Sequence, residues 1–140
     1  MAEAAPPDWR WRLLVGEAMV RLTLARLLVR LVPLRWWGRW LGRPAPHRPD
    51  EGLADPGAWR LSRAVLRGAA RLPFETKCLP RAIALHTMLR RNRIPSRMVI
   101  AVLDPRRRGA VEDLHAWVES KGEIVIGALD FPFHPVVTYS

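Results

Sequence analysis

The sequence predicts an α+β fold, with N-terminal helices followed by a small antiparallel sheet. Three observations carry that prediction. Apolar residues recur every three or four positions up to about residue 92, the period of helices packed on a core. From Arg97 the pattern changes to short apolar runs separated by turn formers, the pattern of strands. The 140-residue chain is also 49% hydrophobic, enough to bury a core within one domain and too apolar for a disordered tail.

Asp8 can cap a first helix running from about Trp9 to Val32, where Pro33 stops it. At about 100° per residue, its charges fall in two narrow sectors, Arg10/Glu17/Arg21 and Arg12/Arg26/Arg30. Two apolar stripes remain, Leu13/Val20/Leu24/Leu27/Leu31 and Val15/Ala18/Leu22/Ala25/Val29. A surface helix needs only one. The plain expectation is that both stripes meet core; the sharper one is that one of them docks a partner protein or a membrane surface. Leu34–Leu41 reads as a short aromatic helix closed by Gly42. Residues 43–57 hold four Pro and two Gly and read as a linker. The expected organisation is a helical segment over 1–42, a linker over 43–57 and a core over 58–140.

Within that core, a helix is expected from about Ala58 to Leu72, with Leu61/Val65/Ala69 inward and Pro73 as its stop. Another opens after Cys78, with Pro80 in its first turn, and runs to about Asn92 with Leu85/Met88/Leu89 inward. Arg97–Leu103 reads as a buried strand, and Asp104–Asp113 as a loop, basic then acidic. Leu114–Ser120 and Glu123–Leu129 read as a hairpin across Ser-Lys-Gly, with Gly122 suited to the left-handed position. A short strand, Val136–Tyr139, closes an antiparallel meander.

The charge balance is 23 basic against 13 acidic residues, a net +10, and 21 of the 23 are Arg. That favours anionic partners in general. It does not indicate sequence-specific nucleic-acid recognition, because the Trp residues sit beside apolar helix positions and residues 111–140 are net acidic. One cysteine excludes a disulfide framework or multi-cysteine zinc site, and four scattered His lack ligand spacing, so no metal or cofactor is expected. No phosphate-cradling glycine motif occurs. The charge-broken first helix is neither a secretory signal nor a membrane span, and a cytoplasmic, reducing location is expected.

Cys78 lies where loop becomes helix, beside Lys77. Unpaired helix amides and a neighbouring cation stabilise a thiolate there, although a lone cysteine also serves as a small buried apolar residue. A nucleophilic thiol needs a base within reach. His86 is about 12 Å further along the same helix and cannot serve. His47 and His134 sit among prolines and read as solvated. His115 opens a strand and shares its face with Trp117. A strand-borne His aimed at a helix start is a rigid way to build a Cys–His pair; the alternative is a satisfied edge histidine. The Arg106–Arg108 run reads as a solvated face that can border a peptide channel.

Cys78-Leu-Pro-Arg-Ala-Ile-Ala-Leu, then Leu89-Arg-Arg-Asn-Arg-Ile-Pro-Ser-Arg97, then Leu114-His-Ala-Trp-Val-Glu119 resemble the leader peptidase of lasso-peptide biosynthesis, a bacterial cysteine protease family. The resemblance covers roughly residues 10–138. It implies a transglutaminase/papain-like core, with Cys78 as nucleophile and His115 as general base. It further implies three partners: a precursor peptide, a small leader-recognition protein that delivers it, and a lasso cyclase acting on the product. An exposed apolar face within residues 9–41 is the expected docking surface. Two other readings use the same residues, a Cys–His acyltransferase of transglutaminase type and a non-catalytic basic adaptor with Cys78 buried.

The family places an Asp about twelve residues past the His, where this chain has Gly127. A two-residue hairpin loop would set His115 opposite Ala128, with Asp130 diagonal on the same face. A three-residue loop, which the turn chemistry favours, would set it opposite Gly127. Asp130 is the named orienting residue, with Asp113 or a backbone carbonyl as alternatives.

Overall fold

A computed structural model describes residues 9–32, 44–45, 52–103, 114–127 and 133–139. Three helices precede most of the sheet: α1 (Trp9–Leu31), α2 (Pro56–Arg71) and α3 (Cys78–Arg91). Five antiparallel strands are β1 (Pro44–Ala45), β2 (Arg97–Leu103), β3 (Leu114–Ser120), β4 (Glu123–Ile126) and β5 (Phe133–Tyr139). The α+β expectation holds. The expected aromatic helix at 34–41 and the loop at 104–113 lie outside the described residues.

The helices pack on one another and on one face of the sheet. Their shared core joins Ala18, Leu22 and Ala25 of α1, Leu61 and Val65 of α2, and Leu85, Met88 and Leu89 of α3 to Met98, Ile100, Ala116 and Val118 of the sheet. Of the two apolar stripes on α1, only one is buried: Val15, Ala18, Leu22 and Ala25 are within 3% of full burial. Leu13, Val20, Leu24, Leu27 and Leu31 are 48–76% exposed, so the expectation that both stripes meet core is corrected. Small residues set the α1–α2 approach, where a Cβ on Gly68 would lie 3.2 Å from Met19 Cγ and 3.3 Å from Ala18 Cβ.

α2 starts two residues before the expected Ala58. Asp55 caps it by accepting from Gly57 N at 2.8 Å, and Pro56 takes the first turn, where its missing N–H costs nothing. α3 is the most deeply buried helix, with Ala82 to His86 all under 9% exposed. Its end is a Schellman turn: Ile94 N donates to Leu89 O and Arg93 N to Arg90 O, with Arg93 at φ 58° where glycine is the usual residue. That turn reverses the chain into β2, and Ser120 Oγ donates to Pro95 O, tying the end of β3 to the same place.

The sheet order is β1-β5-β2-β3-β4. It is not the expected meander, because β5 returns to pair with β2 on the side away from β3. β1, a proline-bearing edge within the expected linker, pairs with the end of β5. The hairpin also differs from expectation. Ser120 pairs with Glu123, giving a two-residue turn, and the left-handed φ of 54° falls on Lys121 rather than Gly122. The register then shifts, since Glu119 faces Ile124 while Val118 faces Ile126, which makes Val125 the extra residue of a β-bulge.

Arg93→Gly is expected to stabilise the protein by about 1 kcal/mol, since a Cβ is disfavoured in the left-handed region. Gly68→Leu is expected to cost about 1–3 kcal/mol by overpacking the α1–α2 contact. Thermal and urea melting of both variants checks these signs.

Candidate active site

Cys78 is the first residue of α3 and is half-buried. Lys77 holds the N-cap position in extended conformation and makes no side-chain capping bond. Arg81 N makes the first helical bond, to Lys77 O at 3.3 Å, and Arg81 Nε donates to the buried Thr76 hydroxyl just before the helix at 3.1 Å. An N-terminus built this way presents backbone N–H groups and the positive end of the helix dipole to an anion.

His115 is the second residue of β3, 9% exposed, opposite Ala101 of β2. It shares its face with Trp117 and Glu119, while Ala116 and Val118 turn to the core. The connectivity carries Cys78 and His115 to the same end of the helix–sheet layer. α3 ends where β2 begins and β3 ends, through the Ile94–Leu89 and Ser120–Pro95 bonds. The end of β2 and the start of β3 therefore lie toward the start of α3, which packs on both strands.

The imidazole has a defined anchor. His115 Nε2 is 2.6 Å from Gly127 O. A carbonyl only accepts, so Nε2 carries the proton and Nδ1 is the ring nitrogen able to take one from a thiol. Gly127 stands at the position where the resemblance leads one to expect an Asp, and its backbone supplies the acceptor. The preceding bulge sets that carbonyl. Ser62 Oγ of α2 donates to Val125 O at 2.5 Å, engaging the carbonyl of the extra residue, and the chain then turns through Gly127 at φ 86°. A Cβ on Gly127 would lie 2.7 Å from Ala116 O and 3.0 Å from Trp117 Cβ. Only glycine fits there.

The backbone-carbonyl alternative is the one observed among the described residues, while Asp130 and Asp113 lie outside them. The favoured three-residue loop, which would set His115 opposite Gly127, is corrected: the turn has two residues, and after the bulge Gly127 lies against Trp117, from where its carbonyl reaches His115 Nε2. His86 is fully buried, with Nδ1 3.0 Å from Ser96 Oγ, a core histidine. His134 belongs to β5 opposite Val102, and His47 lies outside the described residues. Two contributors escaped the sequence reading. Ser62 resembles any small core residue of a helix. Glu119 accepts from Trp117 Nε1 at 2.7 Å and holds an indole whose centroid is 6.1 Å from that of His115. The period-two spacing of His115, Trp117 and Glu119 was the available signal for the second.

The described residues thus place a thiol at the head of a buried helix and a histidine at the head of a strand, the two residue types that cysteine-dependent acyl chemistry uses. The chain belongs to the transglutaminase-like superfamily, whose family profile matches residues 18–138. That superfamily includes cysteine proteases and acyltransferases. No significant match was found among curated proteins or solved structures.

Nitrogen-15 NMR of the imidazole is expected to report neutral His115 as the Nε2–H tautomer. A spectrum with the proton on Nδ1 would contradict the Gly127 anchor. Gly127→Ala is expected to cost about 1–3 kcal/mol through backbone strain and to mix the two tautomers.

Proposed function

We propose that this protein is a cysteine peptidase that removes the leader from a ribosomally made precursor peptide, as in lasso-peptide maturation. The observation that carries the reading is the placement of two sequence blocks. Cys78-Leu-Pro-Arg-Ala opens α3 and Leu114-His-Ala-Trp-Val-Glu119 forms β3, with His115 Nε2 donating to Gly127 O.

In the proposed reaction, His115 Nδ1 takes the proton from Cys78 Sγ, and the thiolate attacks the carbonyl at the leader–core junction. The Nε2–H···O=C bond keeps the ring oriented while the imidazolium forms, the role a carboxylate has in other triads. Backbone N–H groups at the start of α3, including that of Cys78, meet the oxyanion. His115 then protonates the departing core amine, leaving a thioester on Cys78. Water attacks the thioester with His115 as base, releasing the leader as a carboxylate and restoring the thiol. The freed core N-terminus is the group a cyclase needs. A small leader-recognition protein that delivers the precursor is the proposed partner, and no cofactor enters the cycle. Asp130 is retained as a proposed second orienting group.

The test uses the full chain, a synthetic precursor and the recognition protein, with products weighed by mass spectrometry. Cys78→Ala and His115→Ala are each expected to abolish leader release while the protein stays folded. Asp130→Asn is expected to lower turnover less than either. A leader ending in a free carboxylate supports hydrolysis; a leader capped as an amide would assign the protein to the acyltransferases instead. Retained cleavage by Cys78→Ala would end the peptidase reading.

A further inference from the structure

Six of the large hydrophobic side chains that the fold leaves exposed stand on α1: Trp9 at 64%, Leu13 at 63%, Val20 and Leu24 at 59%, Leu27 at 48% and Leu31 at 76%. At 3.6 residues per turn they fall within about 60° of the helix circumference and form one straight ridge about 33 Å long. The buried residues Val15, Ala18, Leu22 and Ala25 lie on the opposite side.

We infer that this ridge seats the protein on an anionic lipid surface, with α1 lying in the plane of the headgroups. Charge supports that occupant. The exposed Arg10 flanks the ridge on one side, and the exposed Arg12 and Arg30 flank it on the other. Arg10 also stacks on Trp9, with its guanidinium carbon 5.4 Å from the ring centroid. The one acidic residue of α1, Glu17, is countered by Arg21 at 2.8 Å and Arg91 at 3.2 Å, and the exposed Arg12 and Arg30 keep the helix face net basic. Apolar side chains between rows of arginine match a headgroup boundary, where the former enter the acyl region and the latter meet phosphates.

Shape separates this from two other occupants. An apolar groove of about 460 Å³ runs between α1 and Ile83 of α3, but it borders only the C-terminal half of the ridge, at Leu24, Leu27 and Leu31. A partner helix seated there would leave Trp9, Leu13 and Val20 in water, whereas a plane covers all six together. Pairing of two copies along the ridge would bring their arginine rims together with no uncommitted acid on α1 to meet them. No described helix is long and apolar enough to cross a membrane, and lying on the surface asks for no such length.

The experiment is flotation of the full chain with vesicles of phosphatidylcholine, with and without phosphatidylglycerol, at low and high salt. Binding to the anionic vesicles is expected to exceed binding to neutral ones by tenfold or more and to weaken with salt. Val20→Ser with Leu27→Ser is expected to weaken it about tenfold at unchanged melting temperature. Arg10→Gln, Arg12→Gln and Arg30→Gln together are expected to weaken it about a hundredfold, on anionic vesicles alone. Two results would overturn the inference. One is equal flotation of the parent and the Val20/Leu27 variant. The other is absence of flotation together with a dimer, or a complex with the recognition protein, that the same variant dissociates. The assay needs neither substrate nor thiol, so its failure and that of the peptidase reading are separately visible.

Discussion

A backbone carbonyl can only accept a hydrogen bond, and from that constraint the arrangement around His115 follows. The 2.6 Å contact with Gly127 O puts the proton on Nε2 and makes Nδ1 the basic nitrogen. A carboxylate would do the same with added charge, but it needs a side chain, and the space beside Ala116 and Trp117 admits none at position 127. The carbonyl is aimed instead by the chain around it: the bulge at Val125, the Ser62 bond that engages its carbonyl, and the positive φ of Gly127. A neutral acceptor stabilises an imidazolium less than an anion does. The burial of His115 and the Trp117–Glu119 pair beside it restrict the ring's orientation, while burial itself disfavours the charged imidazolium.

The helical layer serves the same end. α3 carries Cys78 at its start and is locked at its finish by the Schellman turn that launches β2. Because helix, turn and strand are continuous and buried, the distance from that turn to Cys78 is fixed by helix rise, and the distance to the start of β3 by strand rise. α1 and α2 cover α3 from outside, with Gly68 against Ala18 and Met19 letting them close on it. The inner face of α1 is thus committed to holding the fold, which leaves its outer ridge available for a surface.

Helix existence was legible because its signals are local: Asp8 before α1, Pro73 after α2, Pro80 in the first turn of α3, although Asp55 and Pro56, read as linker, proved to start α2. β1 lay in a segment read as linker, whereas β2 to β5 were legible for the same reason. Register was not. Ser-Lys-Gly looks like a three-residue loop with glycine in the left-handed position, yet Lys121 takes that conformation and the bulge lies four residues on, at Val125, fixed by a bond from a distant helix. The place of β5 beside β2 depends on pairing between remote segments, which no local pattern encodes. The Leu-rich stripe of α1 is the more apolar yet faces outward, while the smaller Val/Ala stripe is the one that packs, so neither periodicity nor apolarity said which faces outward. Cys78 and His115 stood out as a thiol at a helix start and a histidine at a strand start, whereas the Gly127 carbonyl has no side chain to betray it.

The most direct test of the central claim is the alkylation rate of Cys78 by iodoacetamide near neutral pH, in the folded parent and in His115→Ala. If His115 is the base that activates the thiol, the parent reacts at least tenfold faster than the folded variant. Equal rates, or a parent thiol no more reactive than a free cysteine, would contradict it.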